Sequence, residues 1–157
     1  MASFDRQFEV VRPSLDKLTR MSLEVNDLGL LDPTGTSPVP LIDGEFVQED
    51  ANYQFGRASD ADRLSSVVID WRGDYGIQAG RKLSVIRLGS YEADTLVFDA
   101  ALTTLGAPVQ LGTVNNAAVG SVNRAGLIAA AAGLVIGYIS RVAATNGNRL
   151  RYVQTQV

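Results

Sequence analysis

The sequence predicts an all-β fold: a small β-barrel or sandwich with an extended N-terminal arm and at most one or two short helices. Three observations predict it. From Val39 onward, apolar runs of four to eight residues alternate with turn residues, a strand spacing rather than a helical one. Two dipeptides, Asp43-Gly44 and Asn146-Gly147, are strong hairpin signals, because Asn, Asp and Gly tolerate the positive φ that tight hairpin turns need. The opening residues show no such runs and close on "LGLLDPTGTSPVP", dense in Pro, Gly, Ser and Thr. The chain therefore divides into residues 1–38, an arm and linker, and residues 39–157, the β domain.

Taken in order, residues 1–12 carry no firm pattern. "RPSLDKLTRMSLEV" predicts a short helix opened by Pro13 and Ser14, with Leu15, Leu18 and Val25 on one side. "VPLIDGEFVQ" predicts a hairpin pivoting on Asp43-Gly44. "SSVVIDWRG", "RKLSVIRLG", "DTLVFD" and "PVQLGTV" each predict a strand, most of them bounded by Gly or Pro. "NRAGLIAAAAGLV" predicts a loop or single helical turn. Its alanines favour helix, but Gly126 and Gly133 bracket them closely.

The last element is a hairpin about Asn146-Gly147, which sets Val142 opposite Arg151, Ser140 opposite Val153 and Tyr138 opposite Thr155. One face then carries Ile136, Tyr138, Val142, Val153 and Val157. The other carries Val135, Ile139, Leu150 and Tyr152, with Arg141, Gln154 and Gln156. A one-sided hairpin alternates more cleanly, so both faces are expected to touch something. Two readings fit: a strand pair in a closed barrel, or a pair that also meets another subunit.

Composition narrows the chemistry. The chain has 157 residues, an apolar content of 46% and neither cysteine nor histidine. Disulfides, thiolate sites and the commonest general base are excluded together, leaving carboxylates, lysine and tyrosine for any catalysis. The net charge of −3 argues against a dedicated nucleic-acid binder. Charge is graded along the chain: residues 1–50 hold ten acids and four bases, and no acidic side chain follows Asp99. Such a gradient suits oppositely charged neighbours; a dispersed set of solvated arginines fits equally. The polar, acid-containing N-terminus does not read as a signal peptide. The most apolar run, "AGLIAAAAGLVIGYI", has 15 residues, short of a membrane span of roughly 18–20. A soluble protein made in a cytoplasm is expected.

Motif by motif, little points to catalysis. Arg72-Gly73-Asp74 forms an adhesion-type tripeptide, but Gly73-Asp74 is also ordinary turn chemistry. Asp60 and Asp62 mimic part of a calcium loop without the glycine and the later glutamate it requires. No nucleophile elbow, P-loop or dinucleotide fingerprint occurs. The expectation is a chain with no catalytic, cofactor-binding or metal-ligating residues: a structural or binding part.

One resemblance adds to this. Asp43-Gly44-Glu45-Phe46 opens the β domain, and Asp94-Thr95 leads to Phe98-Asp99. Gly126-Leu127, Gly137-Tyr138-Ile139 and Asn146-Gly147 then precede the last strand. In this order, across residues 39–157, the chain resembles the head decoration, or capsid cement, proteins of tailed bacteriophages. The resemblance implies a small β-barrel on the outer surface of the virion head, bridging major capsid subunits and resisting the pressure of packaged DNA. It implies copies arranged as homotrimers, with dimers an alternative, and an arm laid over adjacent capsid subunits. It carries no catalytic residue. Expected partners are the major capsid protein and the chain itself, with no nucleic acid and no membrane.

Candidate interface residues follow. Phe4 and Phe8 are apolar side chains in a polar arm, suited to a partner's pocket or to packing back on their own domain. Arg141, Arg149 and Arg151 suit a rim facing acidic neighbours. Tyr138 and Tyr152 belong to the two-faced hairpin. Competing readings are a tail or head–tail connector protein, which would form a ring, a small-barrel ligand-binding domain or enzyme using carboxylates, and an adhesin.

Overall fold

Alternating apolar side chains sort the chain into two antiparallel sheets. The computed structural model describes residues 8–13, 18–24, 41–50, 53–59, 65–69, 82–88, 90–119, 122–131 and 134–155. Strands are numbered along the chain. The first sheet runs in the order β1 (Phe8–Arg12), β7 (Tyr91–Thr95), β11 (Leu150–Gln154), β10 (Gly137–Arg141), β8 (Pro108–Val114) and β9 (Arg124–Ala129). The second runs β2 (Thr19–Glu24), β6 (Lys82–Leu88), β5 (Ser66–Val68), β3 (Phe46–Glu49) and β4 (Phe55–Arg57). Among the described residues the only helical pieces are single 3-10 turns at Ala117–Val119 and Ala143–Thr145.

The architecture is an all-β sandwich, and neither sheet closes into a barrel. The first sheet comes near to closing. After β7 the chain returns to the outer edge of β9 through a parallel bridge, Phe98 to Leu127. The Leu127 amide donates to the Val97 carbonyl at 3.1 Å, and the Asp99 amide to the Leu127 carbonyl at 2.8 Å. That bridge covers part of an edge that would otherwise offer unpaired backbone groups.

Alternate residues in the middle of the first sheet's strands enter the core. Phe8, Tyr91, Ala93, Val109, Leu111, Leu127, Ile139, Leu150 and Tyr152 join Phe46, Val67 and Ile86 of the second sheet in one cluster. Register lines up Phe46, Val67 and Ile86 across three neighbouring strands. The residues one step along, Val47, Val68 and Val85, are no more exposed. The second sheet is therefore buried on both faces there, which is why "SSVVI" reads as a continuous apolar run.

Several expectations are corrected. Within the supposed arm, Phe8–Arg12 is a strand paired with β7, and Thr19–Glu24 is a strand paired with β6. The second replaces the expected helix at "RPSLDKLTRMSLEV": pairing with a neighbouring strand outweighs local propensity. Arg124–Ala129, expected as loop or helical turn, is strand β9, paired along its length with β8. The final hairpin pairs Tyr138 with Val153 and Ile139 with Tyr152, shifted two residues from the expected register, and Arg141 with Arg151, shifted one. Its connection is not a two-residue turn. A 3-10 turn at Ala143–Thr145 precedes Gly147 and Asn148, both at positive φ, and a bulge between Ile139 and Arg141 absorbs the remainder. The Asp43-Gly44 turn forms, with Gly44 at φ 92° and the Glu45 amide donating to the Ile42 carbonyl at 3.2 Å, but it closes no hairpin among the described residues: β3 pairs with β4 and β5.

Candidate interaction surface

The register of the first sheet fixes which side chains share its outer face. Strand β1 begins with Phe8 inward, so Glu9 points out. The same parity carries across the sheet and aligns Glu9, Asp94, Arg151 and Arg141 in one row. A second row aligns Arg12, Glu92, Val153, Tyr138 and Pro108. The acids Glu9, Asp94 and Glu92 thus sit on β1 and β7 beside Arg12, two arginines sit on β11 and β10, and an apolar strip lies where β11, β10 and β8 adjoin.

The charged half is tied together. Arg151 grips Asp94 with two parallel bonds, Nε to Oδ1 at 2.8 Å and a terminal nitrogen to Oδ2 at 3.0 Å. Such a fork-on-carboxylate pair is among the stronger polar contacts. Asn146 reinforces it, donating its Nδ2 to Asp94 Oδ1 at 2.8 Å and to the Arg149 carbonyl at 3.0 Å. Burial alone would raise the Asp94 carboxyl. The hydrogen bonds from Arg151 and Asn146, with the Arg151 charge, outweigh it and hold the carboxyl below its ordinary value. Arg149 approaches Glu9 at 3.7 Å, and Arg12 meets Glu92 at 3.0 Å.

The other half is open. Tyr138 is 45% exposed and Leu105 67% exposed. Pro108 is exposed and Val153 half-buried. Leu105 borders the strip because the next residue, Gly106, donates its amide to the Ile139 carbonyl at 2.8 Å. Arg141 is exposed beside them, and no carboxylate among the described residues pairs with it. Its one side-chain hydrogen bond runs to Asn146 Oδ1 at 3.5 Å.

The structure divides the expected interface residues. Tyr138 and Arg141 face outward together. Arg149 and Arg151 face the same surface, but their charges are engaged by Glu9 and Asp94 within the chain. Phe8 takes the second of its two readings, packing on its own domain, and Tyr152 is a correction. Phe8 is 1% exposed and Tyr152 fully buried, so neither is a surface anchor. The two flank Tyr91 edge-on, with ring centroids 6.4 and 5.8 Å away. The Tyr91 hydroxyl lies 2.9 Å from that of Tyr152 and donates to Gln154 Oε1 at 2.7 Å. Burial and the Tyr152 hydroxyl raise the Tyr91 phenol above its ordinary value, and burial raises that of Tyr152. These are neutral, structural tyrosines. Phe4, Asp60, Asp62 and Arg72-Gly73-Asp74 lie outside the described residues.

One cluster was not legible in the sequence. Glu45 has a fully buried side chain and accepts two bonds from Arg57, at 2.8 and 3.2 Å, and one from Arg124 at 2.9 Å. The amides of Ile42 and Ala125 add bonds at 2.9 and 3.2 Å. Arg124 also donates to the Val119 carbonyl at 3.1 Å. Burial, with Arg57 close by, lowers the Arg124 guanidinium from its ordinary value against the opposing pull of Glu45. With its oxygens taken up by these donors, Glu45 is an internal strut joining β4 to β9. Only the turn before Glu45 was visible in sequence; a partner 79 residues away was not.

Among the described residues no group of three or more His, Cys, Asp or Glu side chains gathers to hold a metal, and no helix is long and apolar enough to cross a membrane. Compared with protein-family models, curated proteins and solved structures, the chain matches none.

Proposed function

We propose that this chain is a structural decoration, or cement, protein of a tailed-bacteriophage capsid. It binds the outer surface of the head and stabilises it by bridging major capsid subunits. The observation that carries the proposal is the outer face of the first sheet. There Tyr138, Val153 and Pro108 form an apolar strip with Leu105 at its border and Arg141, which has no carboxylate partner among the described residues, at its side. Aromatic and arginine side chains are the residues that most often dominate binding at protein interfaces. The resemblance over residues 39–157 supports the same reading. In it the strip packs on a neighbouring subunit and Arg141 meets a carboxylate of that subunit. The sandwich transforms no molecule; it supplies a stiff platform. Each contact can be weak, because identical contacts repeated over a lattice add through avidity. Copies of the chain associate as trimers, with dimers the alternative arrangement, and the protein is made in the host cytoplasm and carried on the virion.

Co-sedimentation with heads assembled without this protein tests the proposal. The purified chain is expected to pellet with the heads. Tyr138→Ala combined with Arg141→Glu is expected to weaken binding at least about tenfold while thermal unfolding stays within a few degrees of the parent, since both side chains are exposed. A folded parent protein left in the supernatant would overturn it, as would a double variant that binds as tightly as the parent.

A further inference from the structure

The chain contains a single Asn-Gly pair, Asn146-Gly147, at the tip of its final hairpin. In such a pair the glycine nitrogen can attack the asparagine Cγ. A C–N bond forms to give a succinimide, the Cγ–Nδ2 bond breaks, and ammonia leaves with the proton from the glycine N–H. Water then opens the ring at either carbonyl, giving aspartate or its backbone isomer. No oxidant or cofactor takes part. Glycine favours the attack because no side chain shields its nitrogen. Gly147 is exposed at φ 62°, and a Cβ there would meet nothing within 4 Å.

The structure holds this reaction back. The Asn146 amide is fixed at three points that agree on one orientation: Nδ2 to Asp94 Oδ1 at 2.8 Å, Nδ2 to the Arg149 carbonyl at 3.0 Å, and Oδ1 from Arg141 at 3.5 Å. Rotating the Asn146 side chain would break these bonds, so reaction is expected to proceed from a locally opened hairpin. The product would disturb the same clamp. A carboxylate would stand where a donor now meets Asp94, replacing attraction with like-charge repulsion. The isomer would also lengthen the backbone between the Asn146 amide, which donates to the Ala143 carbonyl at 3.1 Å, and the Asn146 carbonyl, which accepts from Arg149 at 3.2 Å.

We propose that Asn146 is a modification site, a spontaneous deamidation centre restrained by its bonds to Asp94 and the Arg149 carbonyl, whose conversion loosens the final hairpin. The inference stands on the hairpin geometry and is independent of any capsid role.

Site-resolved mass spectrometry of the full-length protein, incubated at mildly alkaline pH, tests it. Three samples are compared: the folded parent, the parent in denaturant, and the Asp94→Ala variant. Glu92→Ala, which breaks the neighbouring Arg12 pair and leaves Asn146 untouched, serves as control. Deamidation at Asn146 is expected to be at least tenfold slower in the folded parent than in denaturant. It is expected to quicken severalfold in Asp94→Ala but not in Glu92→Ala. Equal rates in folded and denatured parent would overturn the proposal, and that comparison stands even if Asp94→Ala does not fold. Conversion mapping to other asparagines, or a folded Asp94→Ala reacting as slowly as the parent, would overturn it too.

Discussion

Glu45 shows what one residue can decide in this fold. It is a charge with a fully buried side chain, held by two arginines from different strands. A buried ion cluster adds little net stability over an apolar replacement of the same shape, but losing one partner from it is costly. Glu45→Gln keeps the shape and removes the charge between Arg57 and Arg124. It is expected to cost about 3 kcal/mol or more in urea unfolding; a loss below about 1 kcal/mol would mean the cluster is not an inter-strand strut. Asp94 makes a prediction in pH. Its folded carboxyl sits below the ordinary value, so its stabilisation is complete above the unfolded pKa of about 3.9 and is lost as pH falls through the folded value. Asp94→Asn should therefore be less stable than the parent at neutral pH, with the two converging in strong acid. A constant gap across that range would contradict the assignment. Neither ion pair was legible in advance, because the sequence marks the charge and not the distant arginine that meets it.

The elements divide into those whose patterns are local and those made by their partners. "PVQLGTV" is strand β8 from Pro108 to Val114, with the bounds expected, because its flanking turns and apolar density are contained in seven residues. "RKLSVIRLG" likewise contains β6. Strands β1 and β2 were missed because they alternate charge with apolar residues over a few positions and gain their stability from β7 and β6. The final hairpin was found, but its register was not: a 3-10 turn and a bulge are invisible to a rule built on two-residue turns. Gly137 checks that register. A Cβ at this position would lie 2.2 Å from the Val153 carbonyl oxygen, a backbone atom that cannot move without breaking the β10–β11 ladder. Gly137→Ala is expected to lower stability by more than about 2 kcal/mol, with thermal unfolding as the measurement. Unchanged unfolding would show that the strands pair in another register.

At the scale of the molecule, the sandwich buries one face of its first sheet and offers the other. The sequence anticipated an all-β chain, but it set Tyr138 and Arg141 on opposite faces of the final hairpin; the bulge between Ile139 and Arg141 brings them to one face. It offered Tyr152 and Phe8 as interface candidates and left packing on their own domain open, because apolar character alone does not say whether a side chain meets its own core or another chain's. The proposed role places the open face against a capsid lattice. The measurement that tests it most directly is image reconstruction of virus heads made with and without this chain. The account predicts regularly spaced outer-surface density that vanishes without it, with the strip around Tyr138 turned toward the shell or a neighbouring copy. Identical heads in both preparations, or density confined to a single ring at the tail vertex, would contradict it.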